Sequence, residues 1–194
     1  RFWNAWQDLA NVPESGAARA AVRQEADYLV TTMHQIHTQV SDTHRALDAD
    51  VVRQVDDING ILDSLAAVNS EIPRSAADGV VGGDLADERN RLLEQLSSHI
   101  DISVIEKDNG QVNVLLSGHN LVQQNQAVHL DVRSANQNDF ATSVLFFSDD
   151  GSLAEIREGQ LRGKMDVRDN TIPAVLDRLD KVAAAMVEEV NRVH

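Results

Sequence analysis

The apolar residues between positions 17 and 71 recur with the period of an α-helix. One stripe has eleven members, which run from position 29 to position 65 in ten steps, a mean of 3.6 residues per step. No proline lies within this stretch. We predict one continuous helix, rather than a hairpin broken at residues 41–44, where a serine or an aspartate could cap a second helix. The stripe consists of Leu29, Met33, Ile36, Val40, His44, Leu47, Val51, Val55, Ile58, Leu62 and Leu65.

Shorter helices are predicted on either side of this stretch. Residues 1–15 read as an amphipathic helix that carries both tryptophans and stops at Pro13. Proline and three glycines in residues 73–83 predict a break in the chain. Asp84 is then the expected N-cap of a helix that extends to about residue 100.

Residues 101–158 change to the alternating pattern of β-strands. Apolar residues alternate on both sides of Asn109-Gly110, which predicts a hairpin closed by a type I′ turn. Further strands are expected at about 120–122, 127–133 and 141–147, with a turn at residues 149–151.

The helical period returns at residues 160–194. Pro173 is tolerated best near a helix start, so a kink or a restart is expected near Thr171. We predict a mainly α protein with a small β insertion (α+β), an elongated antiparallel helical bundle built on one very long helix. The predicted domains are a helical rod domain, residues 1–100 and 159–194, and a β-rich insertion, residues 101–158, whose β-hairpin subdomain lies at one end of the bundle.

The composition narrows the classes of function. The 194 residues include 17 lysines and arginines against 31 aspartates and glutamates, so the net charge is −14. A field of this sign repels phosphate, and we therefore expect neither nucleic acid nor a membrane as a partner. The absence of cysteine excludes disulfides, thiolate metal ligands and cysteine nucleophiles.

The polar residues form no recognisable catalytic or metal-binding motif. His34 and His37 share a helix face, but His44 lies about 10 Å further along the axis, so one ion cannot bind all three. Because His44 falls within the apolar stripe, we expect it to be buried and hydrogen-bonded. Pairs of acidic residues close together in the sequence, such as Asp48 and Asp50, are expected to form a solvated face. We predict no enzyme activity, no metal and no cofactor.

Several motifs, in order along the chain, resemble the flagellar hook-associated protein 1 (FlgK) family. The element at residues 84–93 is similar to the family's Asp-Leu-x-Asp-x-Arg-Asp-x-Leu-Leu, with Asn90 in place of the second aspartate. The hairpin around residue 110 resembles the family's Gly-x-Val-x-Val segment. The other motifs are FWNAWQDLA at residues 2–10, GQLRG at 159–163, Arg168-Asp169, Ile172-Pro173, LDKVA at 179–183 and VNRVH at 190–194.

The resemblance implies a structural protein of the bacterial flagellum at the hook–filament junction, whose subunits pack in a helical tube. It implies as partners further copies of itself, the flagellar hook protein and hook-associated protein 3. It also implies secretion by the flagellar type III apparatus, with an export chaperone that binds a C-terminal segment missing here. Since Arg1 replaces an initiator methionine, we expect a central fragment that lacks the family's terminal coiled-coil segments.

The matching motifs also supply candidate structural residues. They are Asp84, Asp87, Arg89, Arg168 and Asp169. We expect Arg89 and Arg168 to form ion pairs where the helices meet the β insertion. A helical-bundle module that binds a ligand or acts as a sensor is the alternative function, and it would need a polar-lined cavity between helices.

Overall fold

A computed structural model describes residues 1–77 and 83–193. The chain forms two compact units. The first comprises Arg1–His44 with Ile172–His194, and the second comprises Arg45–Thr171. The division by element type that the sequence predicts, at residues 101 and 158, stays a prediction.

The long helix is continuous, as predicted. Helix α1 spans Phe2–Asn11 and helix α2 spans the 62 residues Gly16–Ala77. The predicted break at Pro73 is wrong, because α2 continues past it to Ala77. A proline leaves the carbonyl four residues earlier without its helical donor. Here that carbonyl belongs to Asn69, and it accepts a hydrogen bond of 2.9 Å from Gln111 Nε2. This replacement bond explains why the helix tolerates the proline. The glycines at 79 and 82 lie outside the described residues.

Helix α3 spans Gly83–His99, so Asp84 lies in its first turn and is not the N-cap that the sequence predicts. Six antiparallel strands follow. Strands β1 to β4 form one sheet in sequential order, and β5 and β6 pair separately. The strands are β1 Ile102–Glu106, β2 Val112–Leu116, β3 His119–Gln123, β4 Gln126–Ala127, β5 Leu130–Gln137 and β6 Phe140–Phe147.

Two local predictions about the strands are wrong. A type I′ turn needs positive φ at both central residues, but of Asn109 and Gly110 only the glycine has it, at 79°. Gly110 N instead bonds to Lys107 O at 2.9 Å in a longer loop. The single strand expected at 127–133 is interrupted between β4 and β5. There the backbone of Leu130 bonds to the side chain of Asn59.

The C-terminal helical sequence restarts near Thr171, as predicted. Helix α4 spans Gly159–Asp166, a π-helical turn spans Val167–Thr171, and helix α5 spans Ile172–Val193. Gly159 has a φ of 92°, and a Cβ there would lie 2.5 Å from the carbonyl oxygen of His99. Only glycine therefore allows α4 to start so close to the end of α3.

The second unit has an extensive hydrophobic core. Buried residues of α2 between Val51 and Ala66 pack with Leu92 and Leu96 of α3, with the inner residues of the strands and with Leu161 of α4. In the described part of the first unit, the buried apolar residues are Val22, Ile172 and Leu176. No helix in the described ranges is both long enough and apolar enough to cross a membrane.

Candidate functional site

Three polar side chains of α2 fasten the β-strands of the second unit to the long helix. Asp48, Asn59 and Asn69 are separated by 11 and 10 residues, which are about 3.1 and 2.8 helical turns, and so they lie on the same side of α2. Each of them forms hydrogen bonds to the backbone of a strand. We call these three side chains the clamp residues.

Asn69 is fully buried and binds the start of β2 as a neighbouring strand would. Its Nδ2 donates to Val112 O at 2.9 Å, and its Oδ1 accepts from Val112 N at 2.7 Å. Nδ2 also donates to Gln124 O at 2.7 Å. A side-chain amide offers both donors and an acceptor, so one residue satisfies the two buried backbone groups of Val112 and the partly buried carbonyl of Gln124.

Asn59 repeats this arrangement at the start of β5. Its Nδ2 donates to Leu130 O at 3.0 Å, and its Oδ1 accepts from Leu130 N at 2.9 Å. The two asparagines therefore fix two different sheets against one helix by the same pair of backbone contacts.

Asp48 links β6 to a buried arginine in the π-helical turn. Its carboxylate accepts from the backbone N and the Oγ of Ser143, at 2.8 and 2.9 Å. Arg168 is 1% exposed, and its Nη1 lies 2.7 Å from Asp48 Oδ1. Arg168 Nε and Nη2 donate to the carboxylate of Asp169, at 2.7 and 3.1 Å. Because a buried guanidinium is costly unless it is paired, these two carboxylates keep the arginine in place.

Arg89 connects α3 to the turn between β1 and β2. It is 9% exposed, and its Nη1 lies 3.1 Å from Glu106 Oε1 and 2.7 Å from Gly110 O. Glu106 is 63% exposed, so this ion pair is screened by solvent, and the shorter bond to the half-buried Gly110 carbonyl is the stronger anchor. The Nε and Nη2 atoms of Arg89 donate to Asn90 Oδ1, at 3.3 and 3.1 Å.

The other residues from the motif are placed differently. Asp84 and Asp87 are exposed on α3. Arg89 donates instead to the carboxylate of Glu106 and to the carbonyl of Gly110. Asp169 is the carboxylate partner of Arg168. The structure therefore brings Arg168 and Asp169 together, and places Arg89 at a separate junction.

The sequence analysis missed all three clamp residues. Asp48 was expected in a solvated acidic face, which is wrong, because its carboxylate binds Arg168 and Ser143. Asn69 carried a signal that would have revealed it. It follows Leu65 by four residues, so an asparagine occupies the next position of the apolar stripe.

One histidine prediction is confirmed, and the structure adds a second histidine of interest. His44 is 2% exposed, which confirms that it is buried within the stripe. His119 was not a candidate, yet it lies 3.0 Å from Asp149 and stacks on Phe147 with ring centroids 3.9 Å apart. In the described ranges, His119, Asp149 and Asp150 can bring one ligand atom each within 4.8 Å of the others.

Each unit also contains a cleft between its own helices. In the first unit, α1, α2 and α5 surround an apolar cleft of about 500 Å³, lined by residues that include Leu29, Met33 and Met186. In the second unit, a polar cleft of about 420 Å³ is lined by residues of α2, by His99 and by Lys164. The apolar cleft lacks the polar lining that a ligand-binding module would need, whereas the polar cleft of the second unit has one.

Comparison with known proteins identifies the family. The sequence-family model described as the flagellar hook-associated protein FlgK helical domain matches residues 1–194. Flagellar hook-associated protein 1 of Bacillus subtilis is 26% identical over the whole chain, and that of Escherichia coli K12 is 25% identical. The chain spans 43% and 37% of these two relatives.

A solved structure has the same fold. The flagellar hook junction protein FlgK from Burkholderia pseudomallei superposes with a TM-score of 0.75 at 19% identity, over 86% of this chain and 31% of that one. The chain belongs to the family of the flagellar hook-associated protein FlgK helical domain.

Proposed function

We propose that the chain is part of a structural subunit of the bacterial flagellum at the junction between hook and filament. The observation that carries this proposal is the family match, which covers all 194 residues. The names of the relatives support the same role, since they are flagellar hook-associated proteins and a hook junction protein. Those names give no support to the alternative of a ligand-binding or sensor module.

The geometry suits a load-bearing element. A tube that transmits torque needs subunits whose parts do not slide against one another. The clamp residues oppose such sliding, because each forms directional hydrogen bonds between a helix and the backbone of a strand. The role is therefore structural rather than catalytic, and the polar groups of the second unit are used for internal cohesion.

The residues of the matching motifs belong to this role. In our proposal, Arg168 reaches the β-rich insertion, residues 101–158, through Asp48 and its bonds to Ser143, and Asp169 holds the arginine in place. Arg89 with its acceptors forms a second connection between the helical parts, residues 1–100 and 159–194, and the insertion. Asp84 and Asp87, which are exposed, are available to neighbouring molecules.

The whole protein has a wider set of proposed partners. We infer that it packs with copies of itself, with the flagellar hook protein and with hook-associated protein 3. We further infer that the flagellar type III apparatus secretes it, and that an export chaperone binds a C-terminal segment of the full-length protein. It would then act outside the cell, within the flagellum.

The test is complementation with the full-length gene that contains this segment. In a deletion strain of the source bacterium, the wild-type gene should restore filaments on electron micrographs and swimming in soft agar. The Arg168→Glu variant should be secreted poorly or should form filaments that break, while the exposed control Arg53→Glu should behave as wild type. Normal filaments in the deletion strain itself would refute the proposal.

A further inference from the structure

The chain contains two copies of a chemically labile dipeptide, Asn59-Gly60 and Asn109-Gly110. In such a pair the backbone nitrogen of the glycine can attack the side-chain amide carbon of the asparagine. The bond from that carbon to Nδ2 breaks, ammonia leaves, and a cyclic succinimide remains. Water then opens the ring to aspartate or to isoaspartate. Glycine favours the reaction because it has no side chain to obstruct the ring.

The two copies lie in very different surroundings. Asn109 is exposed in the loop between β1 and β2. Its Oδ1 accepts a hydrogen bond of 3.1 Å from Gln111 N, which withdraws electrons from the amide carbon and makes it easier to attack. Its Nδ2 donates to Gln111 Oε1 at 2.8 Å, but this partner is an exposed side chain of the same loop and opens with it. The attacking nitrogen, Gly110 N, bonds only to Lys107 O of the same loop among the contacts described, at 2.9 Å. Local opening of an exposed loop frees this nitrogen at small cost.

Asn59 is protected by its environment. It lies in the interior of α2, where Gly60 also has helical backbone geometry. Both ends of its side-chain amide bond to the backbone of Leu130. Ring closure there requires the helix to unwind locally and the clamp to open, so the reactive geometry is rarely populated.

We propose that Asn109 is a site of spontaneous deamidation, with isoaspartate as a product, and that Asn59 is not. The co-reactant is water and the leaving group is ammonia, so the step needs no oxidant or enzyme. Conversion adds one carboxylate and changes the net charge from −14 to −14 − 1 = −15.

The modification has a structural consequence at Arg89. Isoaspartate places one extra atom in the backbone immediately before Gly110 and so moves the Gly110 carbonyl, which accepts from Arg89 Nη1 at 2.7 Å. The aged protein therefore loses this bond between α3 and the loop, whereas the solvent-screened pair of Arg89 with Glu106 remains.

Peptide mapping by mass spectrometry tests the site. The purified chain is incubated in mildly alkaline buffer made with ¹⁸O water, and isoaspartate is assayed with the isoaspartyl methyltransferase. We expect the peptide with residue 109 to convert roughly ten times faster or more than the peptide with residue 59, which corresponds to about 1.4 kcal/mol in opening free energy. In concentrated urea the two peptides should convert at similar rates. Equal rates in the folded protein, or an unchanged residue 109 while the urea sample converts, would overturn the proposal.

A second measurement tests the consequence at Arg89. Anion exchange separates the aged form by its extra charge, and its thermal midpoint is compared with that of fresh protein. The aged wild type should melt lower, and incubated Asn109→Gln should not change. In Arg89→Met the anchor is already absent, so ageing should lower the midpoint much less than in the wild type. An equal loss in both backgrounds would show that Arg89 is not released.

Discussion

The two units bury the same helical stripe to very different extents. In the second unit, the five stripe residues from Val51 to Leu65 are at most 1% exposed. In the first unit, Leu29 and Met33 are half-buried beside an open cleft, and Ile36 is 43% exposed. The period of the sequence is unchanged from one end of the stripe to the other.

The difference lies in what covers the stripe. In the second unit, strands and helices close over α2, and the clamp residues satisfy backbone groups of the strands that face it. In the first unit, α1 and α5 leave an apolar cleft of about 500 Å³. Periodicity therefore predicts which face of a helix is apolar, but the degree of burial depends on the neighbouring elements.

A matched pair of substitutions on α2 provides the most sensitive test of this contrast. Leu62→Ala removes a fully buried side chain from the second unit, and we expect a loss of about 3–4 kcal/mol in the free energy of unfolding. Leu29→Ala removes the same atoms beside the cleft, where solvent can occupy the space, and should cost about 1 kcal/mol. Urea unfolding followed by circular dichroism gives both values. Equal losses would mean that the first unit is packed as tightly as the second.

The sequence predicted the elements better than it predicted their ends. Periodicity predicted the continuous α2 and the change to strands after residue 101, because each extends over many residues. Pro173 indicated the restart near Thr171. Single-residue signals failed where a distant group intervened. Pro73 does not end α2, because Gln111 supplies the hydrogen bond that the proline removes.

The site was harder to predict than the fold. Arg89, Arg168 and Asp169 came from motif resemblance, which identifies residues but not their partners. Asp48 and Ser143 lie 95 residues apart in sequence, and a local pattern cannot report such a contact. An asparagine that bonds to a strand backbone has no sequence signature beyond its place on an apolar face, as Asn69 illustrates.

The second prediction compares two aspartates on the same turn of α2. Asp48→Ala leaves Arg168 buried with Asp169 as its remaining carboxylate, and we expect a loss of about 3 kcal/mol in the free energy of unfolding. Asp50→Ala removes a carboxylate that is 41% exposed and pairs with exposed Arg53, and should cost less than about 1 kcal/mol. Thermal and urea unfolding of both variants provide the comparison. A smaller loss for Asp48→Ala than for Asp50→Ala would contradict the clamp at β6.

The third prediction concerns the two asparagine clamps. Asn69→Ala leaves both backbone groups of buried Val112 and the partly buried carbonyl of Gln124 without this partner, and should cost about 2 kcal/mol. Asn59→Ala removes two hydrogen bonds to the backbone of Leu130, and Asn59 itself is half-buried. A loss of about 1 kcal/mol is therefore expected. Amide hydrogen exchange should show faster exchange at Val112 in the first variant and at Leu130 in the second. Exchange that is unchanged at these amides would argue against both clamps.

The smallest effect is expected at the exposed turn after β6, where polar contacts lack the burial that strengthens the clamps. A hydrogen bond from the Ser152 side chain lowers the pKa of Asp150 below its ordinary value of 3.8, with smaller contributions from the Ser152 backbone and His119. A lowered pKa stabilises the folded state above 3.8, and this contribution is lost as the pH falls through the pKa of the folded state. Ser152→Ala should raise the pKa of Asp150 toward its ordinary value, and so narrow the pH range over which the carboxylate stabilises the folded state. The pKa of Asp150 is measured from its carboxyl chemical shift, followed by NMR as the pH is varied. The same titration midpoint in both proteins would mean that the Ser152 hydroxyl does not hold the turn.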